Sequence, residues 1–82
     1  MTRFEQIKLD SEFARFTRMN FDKPQKCTSI DQIRYYMKEL SEKIAYLKSS
    51  VRYVPNDAYS LLSQYNAAQN KLIHQNFQEF YL

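Results

Sequence analysis

Glycine is absent from this 82-residue chain, and its absence removes several constructions at once. Phosphate-cradling loops, two-residue primed hairpin turns and glycine C-caps all depend on it. Tryptophan is also missing, and proline occurs only twice, so long stretches contain nothing that breaks a helix. The single cysteine, Cys27, has no partner for an internal disulfide. The single histidine, His74, has only Glu79 as a nearby acidic neighbour, which is too little for a zinc site or a general base with its orienting group. P-loop, nucleophile-elbow and paired-carboxylate patterns are all missing. The expectation is a protein that is not an enzyme, with no catalytic residues, no metal and no cofactor.

No apolar run approaches the length of a membrane span. The first residues lack the charged and apolar regions of an export signal. With one unpaired thiol, the expected compartment is the reducing cytoplasm.

What the chain does have is core-forming material. Hydrophobic residues make up 44% of it and aromatics 16%, including seven Tyr and six Phe, too rich for a disordered segment. At this length one domain, spanning residues 1–82, is expected, and its core only just offsets chain entropy. The formal charge is +3, mild for a dedicated nucleic-acid binder. It is uneven: up to Arg52 there are eleven Lys and Arg against seven Asp and Glu, and from Tyr53 onward one against two. Any electrostatic attraction therefore comes from the first two thirds of the chain.

The organising stretch runs from Thr28 to Val51. Ile30, Met37, Ile44 and Val51 recur every seven residues, with Ile33, Leu40 and Leu47 between them. This is an amphipathic helix whose seam has coiled-coil a and d chemistry. Each seam side chain gains roughly 1.5–3 kcal/mol on full burial, while ordering each residue costs about 1.5 kcal/mol. The helix therefore needs other surfaces around it. Thr28 or Ser29 caps it, Asp31 suits its first turn, and Glu39 and Lys43 are placed for an i, i+4 ion pair.

The flanking segments supply those surfaces. Thr2 and Glu5 have capping-box spacing, and Phe4, Ile7, Leu9, Phe13 and Phe16 give a first helix over about residues 3–20, with Asp10 and Ser11 able to restart a cap and kink it. Phe21 to Lys26, around Pro24, reads as a loop. The second helix spans about 29–50. Pro55, Asn56 and Asp57 start a third over about 56–80, whose stripe runs through Ala58, Leu61, Leu62, Tyr65, Ala68 and Leu72. Phe77, Phe80, Tyr81 and Leu82 either close the core or form an apolar tail. The expected fold is all-α: a small three-helix bundle with a long central and a long C-terminal helix.

The flanks of the central helix differ. Arg34, Lys38, Lys48 and Arg52 line one side, and Tyr36, Tyr46 and Tyr53 the other. Tyrosine beside cations is the composition of interface hot spots. These seven residues are the expected partner-binding surface, and a protein with an acidic surface is the expected partner. DNA bound through the same cations is the alternative, although the last helix, with only Lys71, lacks the look of a reading helix. An obligate subunit completed through the apolar tail is a third reading. Parallel self-pairing sets Lys43 against Lys48 of the other copy, a small repulsion that mildly disfavours pairing through this seam; the oligomeric state is otherwise left open. Cys27 lies beside Lys26 just before a helix, a setting that can lower a thiol pKa; with no base nearby, a structural thiol is expected.

Two passages resemble the Hha/YmoA family of small helical modulators of nucleoid proteins. Lys26-Cys27-Thr28-Ser29-Ile30-Asp31-Gln32-Ile33 is similar to the run that opens that family's second helix, and Tyr65-Asn66-Ala67-Ala68-Gln69-Asn70-Lys71-Leu72 to its aromatic-Ser-Ala-Ala-Asp-His-Arg run. Here the acidic and histidine positions are Gln69 and Asn70, and the family's C-terminal tryptophan is missing. The resemblance implies a cytosolic regulator that binds the dimerisation region of the nucleoid protein H-NS. The composition, without glycine and rich in Tyr, Phe, Asn and Lys, also resembles small phage accessory proteins that inhibit or redirect one target protein.

Overall fold

The computed structural model describes residues 1–81, with side chains described for residues 1–75. It is all-helical: α1 spans Arg3–Asn20, α2 Ile30–Tyr46 and α3 Asn56–Tyr81. A 3₁₀ turn at Pro24–Lys26 lies between the first two helices, and α2 runs on into a π-helical turn at Leu47–Val51.

Local chemistry explains the boundaries. Thr2 Oγ1 accepts from the Glu5 backbone N–H at 3.2 Å, and Ser29 Oγ accepts from Gln32 N–H at 3.3 Å, so each helix start has an orphan donor satisfied. α1 is unbroken at Asp10, because that carboxylate is engaged by Tyr53 instead of recapping the chain. At the other end of α2, the Ser49 hydroxyl donates to the carbonyls of Ala45 at 3.0 Å and Tyr46 at 3.4 Å. This competition for helical acceptors accompanies the widened π turn. The turn closes at Arg52, whose φ of 61° is left-handed, the conformation that glycine would take if the chain had one.

The three helices run up, down, up. Moving forward along α1, Asp10, Phe16 and Phe21 meet Tyr53, Lys43 and Tyr36 in turn, so α1 is antiparallel to α2. Phe13 and Thr17 share a groove with Asp57, Leu61 and Gln64, and Phe21 meets Tyr65, so α1 is parallel to α3. The main packing is α2 on α3. Their interface holds Ile33 and Leu40, both fully buried, with Ile44, Leu47, Ala58 and Tyr65. Of the seven seam residues read from the heptads, Ile33, Leu40, Ile44 and Leu47 are buried, and Ile30, Met37 and Val51 are half-buried.

The helices are offset lengthwise. Because Asp10 already reaches the end of α2, the first two turns of α1 extend past the α2–α3 connection. The extents are 55 × 21 × 16 Å and the radius of gyration is 15.0 Å, against about 12 Å for a compact chain of this length. Phe77, Phe80, Tyr81 and Leu82, the expected core closure or tail, lie outside the residues whose side chains are described.

Candidate functional site

The junction of α1, the 3₁₀ turn and α2 is an aromatic cluster with one polar hub. Phe21 stacks on Tyr36 at a centroid distance of 4.8 Å, meets Phe16 at 5.6 Å and lies edge-on to Tyr65 at 6.2 Å. Such offset and edge geometries suit the ring quadrupoles. The buried hydroxyls converge on Asp22. Tyr65 Oη donates to the Asp22 carbonyl at 2.5 Å. Gln32 Nε2 donates to Asp22 Oδ2 and to Tyr36 Oη, both at 2.9 Å, and Tyr36 Oη donates to Asp22 Oδ2 at 3.4 Å. Every buried polar side-chain atom described is satisfied, and the network ties the Asp22 loop to α2 and α3.

Tyr36 therefore leaves the expected docking surface: it is 8% exposed and part of the core. The heptad reading assumed a seam one partner wide. With α1 packed on one side and α3 on the other, the buried arc of α2 broadens to include the flank carrying Tyr36 and Lys43. Tyr53, half-buried, gives its hydroxyl to Asp10 at 2.8 Å and so serves α1 docking. That bond is also the main reason its phenol pKa is raised, since the hydroxyl proton is held against a carboxylate. The expected Glu39–Lys43 pair does not form: Lys43 Nζ lies 5.1 Å over the Phe16 ring and 5.6 Å from the Tyr46 ring, a cation–π arrangement made possible by α1.

The remaining residues define the solvent face of α2. At 100° per residue, Arg34, Lys38, Tyr35 and Tyr46 fall within an arc of about 120°, and all are exposed, Tyr35 by 59% and Tyr46 by 56%. Asp31 and Glu42 share this face. Lys48 and Arg52, also exposed, continue from its end through the π turn. Arg34, Lys38, Lys48 and Arg52 make no ion pair among the described residues. Tyr35 was not singled out in the sequence because it lies on neither flank of the seam. Its signal was its place opposite Ile33 and Leu40 on the helical wheel.

Cys27 lines an open cleft of about 540 Å³ with Pro24, Thr28, Gln64, Ala68 and Leu72. Its Sγ lies 3.4 Å from the Lys23 carbonyl. Burial, and secondarily the charge of Asp22, push the thiol pKa up, so proximity to Lys26 does not activate it. His74 is exposed, and among the described residues no group of three His, Cys, Asp or Glu is close enough to hold a metal. No described helix is long and apolar enough to cross a membrane. Comparison with protein-family models, curated proteins and solved structures finds no match.

Proposed function

We propose that this chain is a small regulatory protein that acts by docking a second protein, one with an acidic surface, on the outer face of α2. The observation that carries the reading is the state of Arg34, Tyr35, Lys38 and Tyr46. These side chains are presented together, and the cations have no ion-pair partner in the described fold. A tyrosine offers rigid contact area with a hydrogen-bonding tip, and an adjacent cation offers steering toward acidic groups.

The charge pattern favours protein over DNA. Asp31 and Glu42 sit among the cations, and a phosphate backbone laid along this face would meet both carboxylates. A protein surface of mixed sign accommodates the alternation and gains register from it. The Hha/YmoA resemblance nominates one partner, the dimerisation region of H-NS.

The test uses the full chain as bait in host extract, beside an Arg34→Glu, Lys38→Glu, Tyr35→Ala variant whose helicity is checked by circular dichroism. The expected result is an acidic protein retained by the parent chain and lost from the variant. Equal retention by both would remove the outer face of α2 as the docking surface.

A further inference from the structure

The outer face of α1 is a second exposed surface, chemically unlike that of α2. Ile7, Arg18, Ser11, Phe4, Arg15 and Lys8 fall within an arc of about 100°, opposite the one fully buried side chain of the helix, Phe13. Phe4 is 76% exposed, the most exposed large apolar side chain described, and Ile7 is 54% exposed. Both lie on the turns that overhang the rest of the bundle. Lys8, Arg15 and Arg18 are exposed and make no ion pair among the described residues. Glu5 and Glu12 sit at the edge of the arc rather than within it.

We infer that α1 is an interfacial helix that lies on an anionic lipid surface, with Phe4 and Ile7 inserted and Lys8, Arg15 and Arg18 against the headgroups. Three features select this occupant. The face is the outer side of a single helix whose first turns extend past the α2–α3 connection, so it can lie flat against a planar surface. The large apolar side chains within the arc, Phe4 and Ile7, sit within one turn, short of the i, i+3, i+7 anchor set of a helix seated in a protein groove and suited to shallow insertion at the headgroup boundary. The unpaired cations within the arc attract a negative leaflet and repel a second copy of the same face.

The experiment is co-sedimentation of the full chain with vesicles of phosphatidylglycerol alone and of phosphatidylcholine alone, across a salt series. Binding to the anionic vesicles, weakening with salt and absent from phosphatidylcholine, is expected. Lys8→Gln and Arg15→Gln should each lower the affinity about fivefold, and Phe4→Ser with Ile7→Ser about tenfold or more. Circular dichroism establishes that these surface variants stay folded, and Tyr59→Ala, at an exposed position of α3, should bind as the parent does. No binding to phosphatidylglycerol at low salt would overturn the inference. Binding indifferent to Phe4 and Ile7, or abolished by Tyr59→Ala, would do the same. So would a dimer by light scattering that becomes a monomer in the Phe4→Ser, Ile7→Ser variant, which would assign the face to a second copy.

Discussion

Tyr53 Oη lies 2.8 Å from Asp10 Oδ1, a hydrogen bond spanning 43 positions of sequence. It ties the far end of α1 to the turn that follows α2, at the point where α1 leaves the bundle. With Phe13 as the only fully buried side chain of that helix, this bond and the Phe16–Lys43 contact hold much of α1 in place. Replacing Tyr53 with Phe should speed hydrogen exchange of the α1 amides while leaving protected amides around Leu40 and Tyr65 unchanged. Uniform acceleration across all three helices would show that α1 does not open separately.

The exchange of roles between adjacent tyrosines gives a sharper test. Tyr36→Ala removes a buried ring from the aromatic cluster and should cost about 3 kcal/mol or more in denaturant unfolding. Tyr35→Ala should stay within about 0.5 kcal/mol of the parent yet weaken partner binding. If the stability effects came out the other way round, the rotation of α2 assigned here would be wrong.

Leu40, with no exposed surface, sits at the middle of the α2–α3 interface. Leu40→Ala should cost about 2–5 kcal/mol, a large part of the roughly 4–12 kcal/mol expected for a domain of this size. Urea titration should show the midpoint lowered by about 2 M or more, with the slope unchanged. An unchanged midpoint would mean that the site collapses around the smaller side chain.

Alkaline pH should unfold the protein through Tyr65. Burial, the largest cause, raises its phenol pKa above the ordinary value of 10.0, so the folded state keeps the proton after the unfolded chain has lost it. The stabilisation is complete below about pH 10 and falls by about 1.4 kcal/mol per pH unit as pH climbs toward the folded value. Tyr65→Phe should be less stable at neutral pH, because the bond to the Asp22 carbonyl is lost, and flatter above pH 10. A parallel pH dependence in the two proteins would exclude Tyr65 as the source.

At Arg52 the backbone holds a left-handed conformation that costs a side-chain-bearing residue about 1–2 kcal/mol. Arg52→Gly relieves that strain but adds freedom to the unfolded chain. The net expected effect is a gain of up to about 1 kcal/mol, read as a higher melting temperature. A loss would mean that the arginine side chain contributes packing of its own.

The heptads made α2 and its buried edge legible, because a seven-residue apolar repeat marks the stripe of a helix that must be covered. The helix starts at Thr2 and Ser29 were legible because capping is written in neighbouring residues, and the start of α3 because Pro55 immediately precedes it. What failed needed knowledge of the third helix. Tyr36 and Lys43 lie on a flank that is solvent when α2 has one partner and interior when it has two. Phe21, read as part of a loop, folds back into the cluster because Tyr36 and Tyr65 leave a place for its ring. Asp10 looked like a local cap and is instead claimed by Tyr53, a contact no local pattern encodes. The π turn rests on the Ser49 hydroxyl competing for carbonyls, which a periodicity of 3.6 does not register.

The lengthwise offset of the helices, which draws the molecule out to 55 Å, bears on how its size is measured in solution. A particle almost three times as long as it is wide tumbles and diffuses more slowly than a sphere of equal mass. On a gel-filtration column calibrated with globular standards, a single 9.9 kDa chain will elute earlier than its mass predicts, between the positions of a globular monomer and dimer. Only mass measurements blind to shape, such as sedimentation equilibrium, will count the chains correctly.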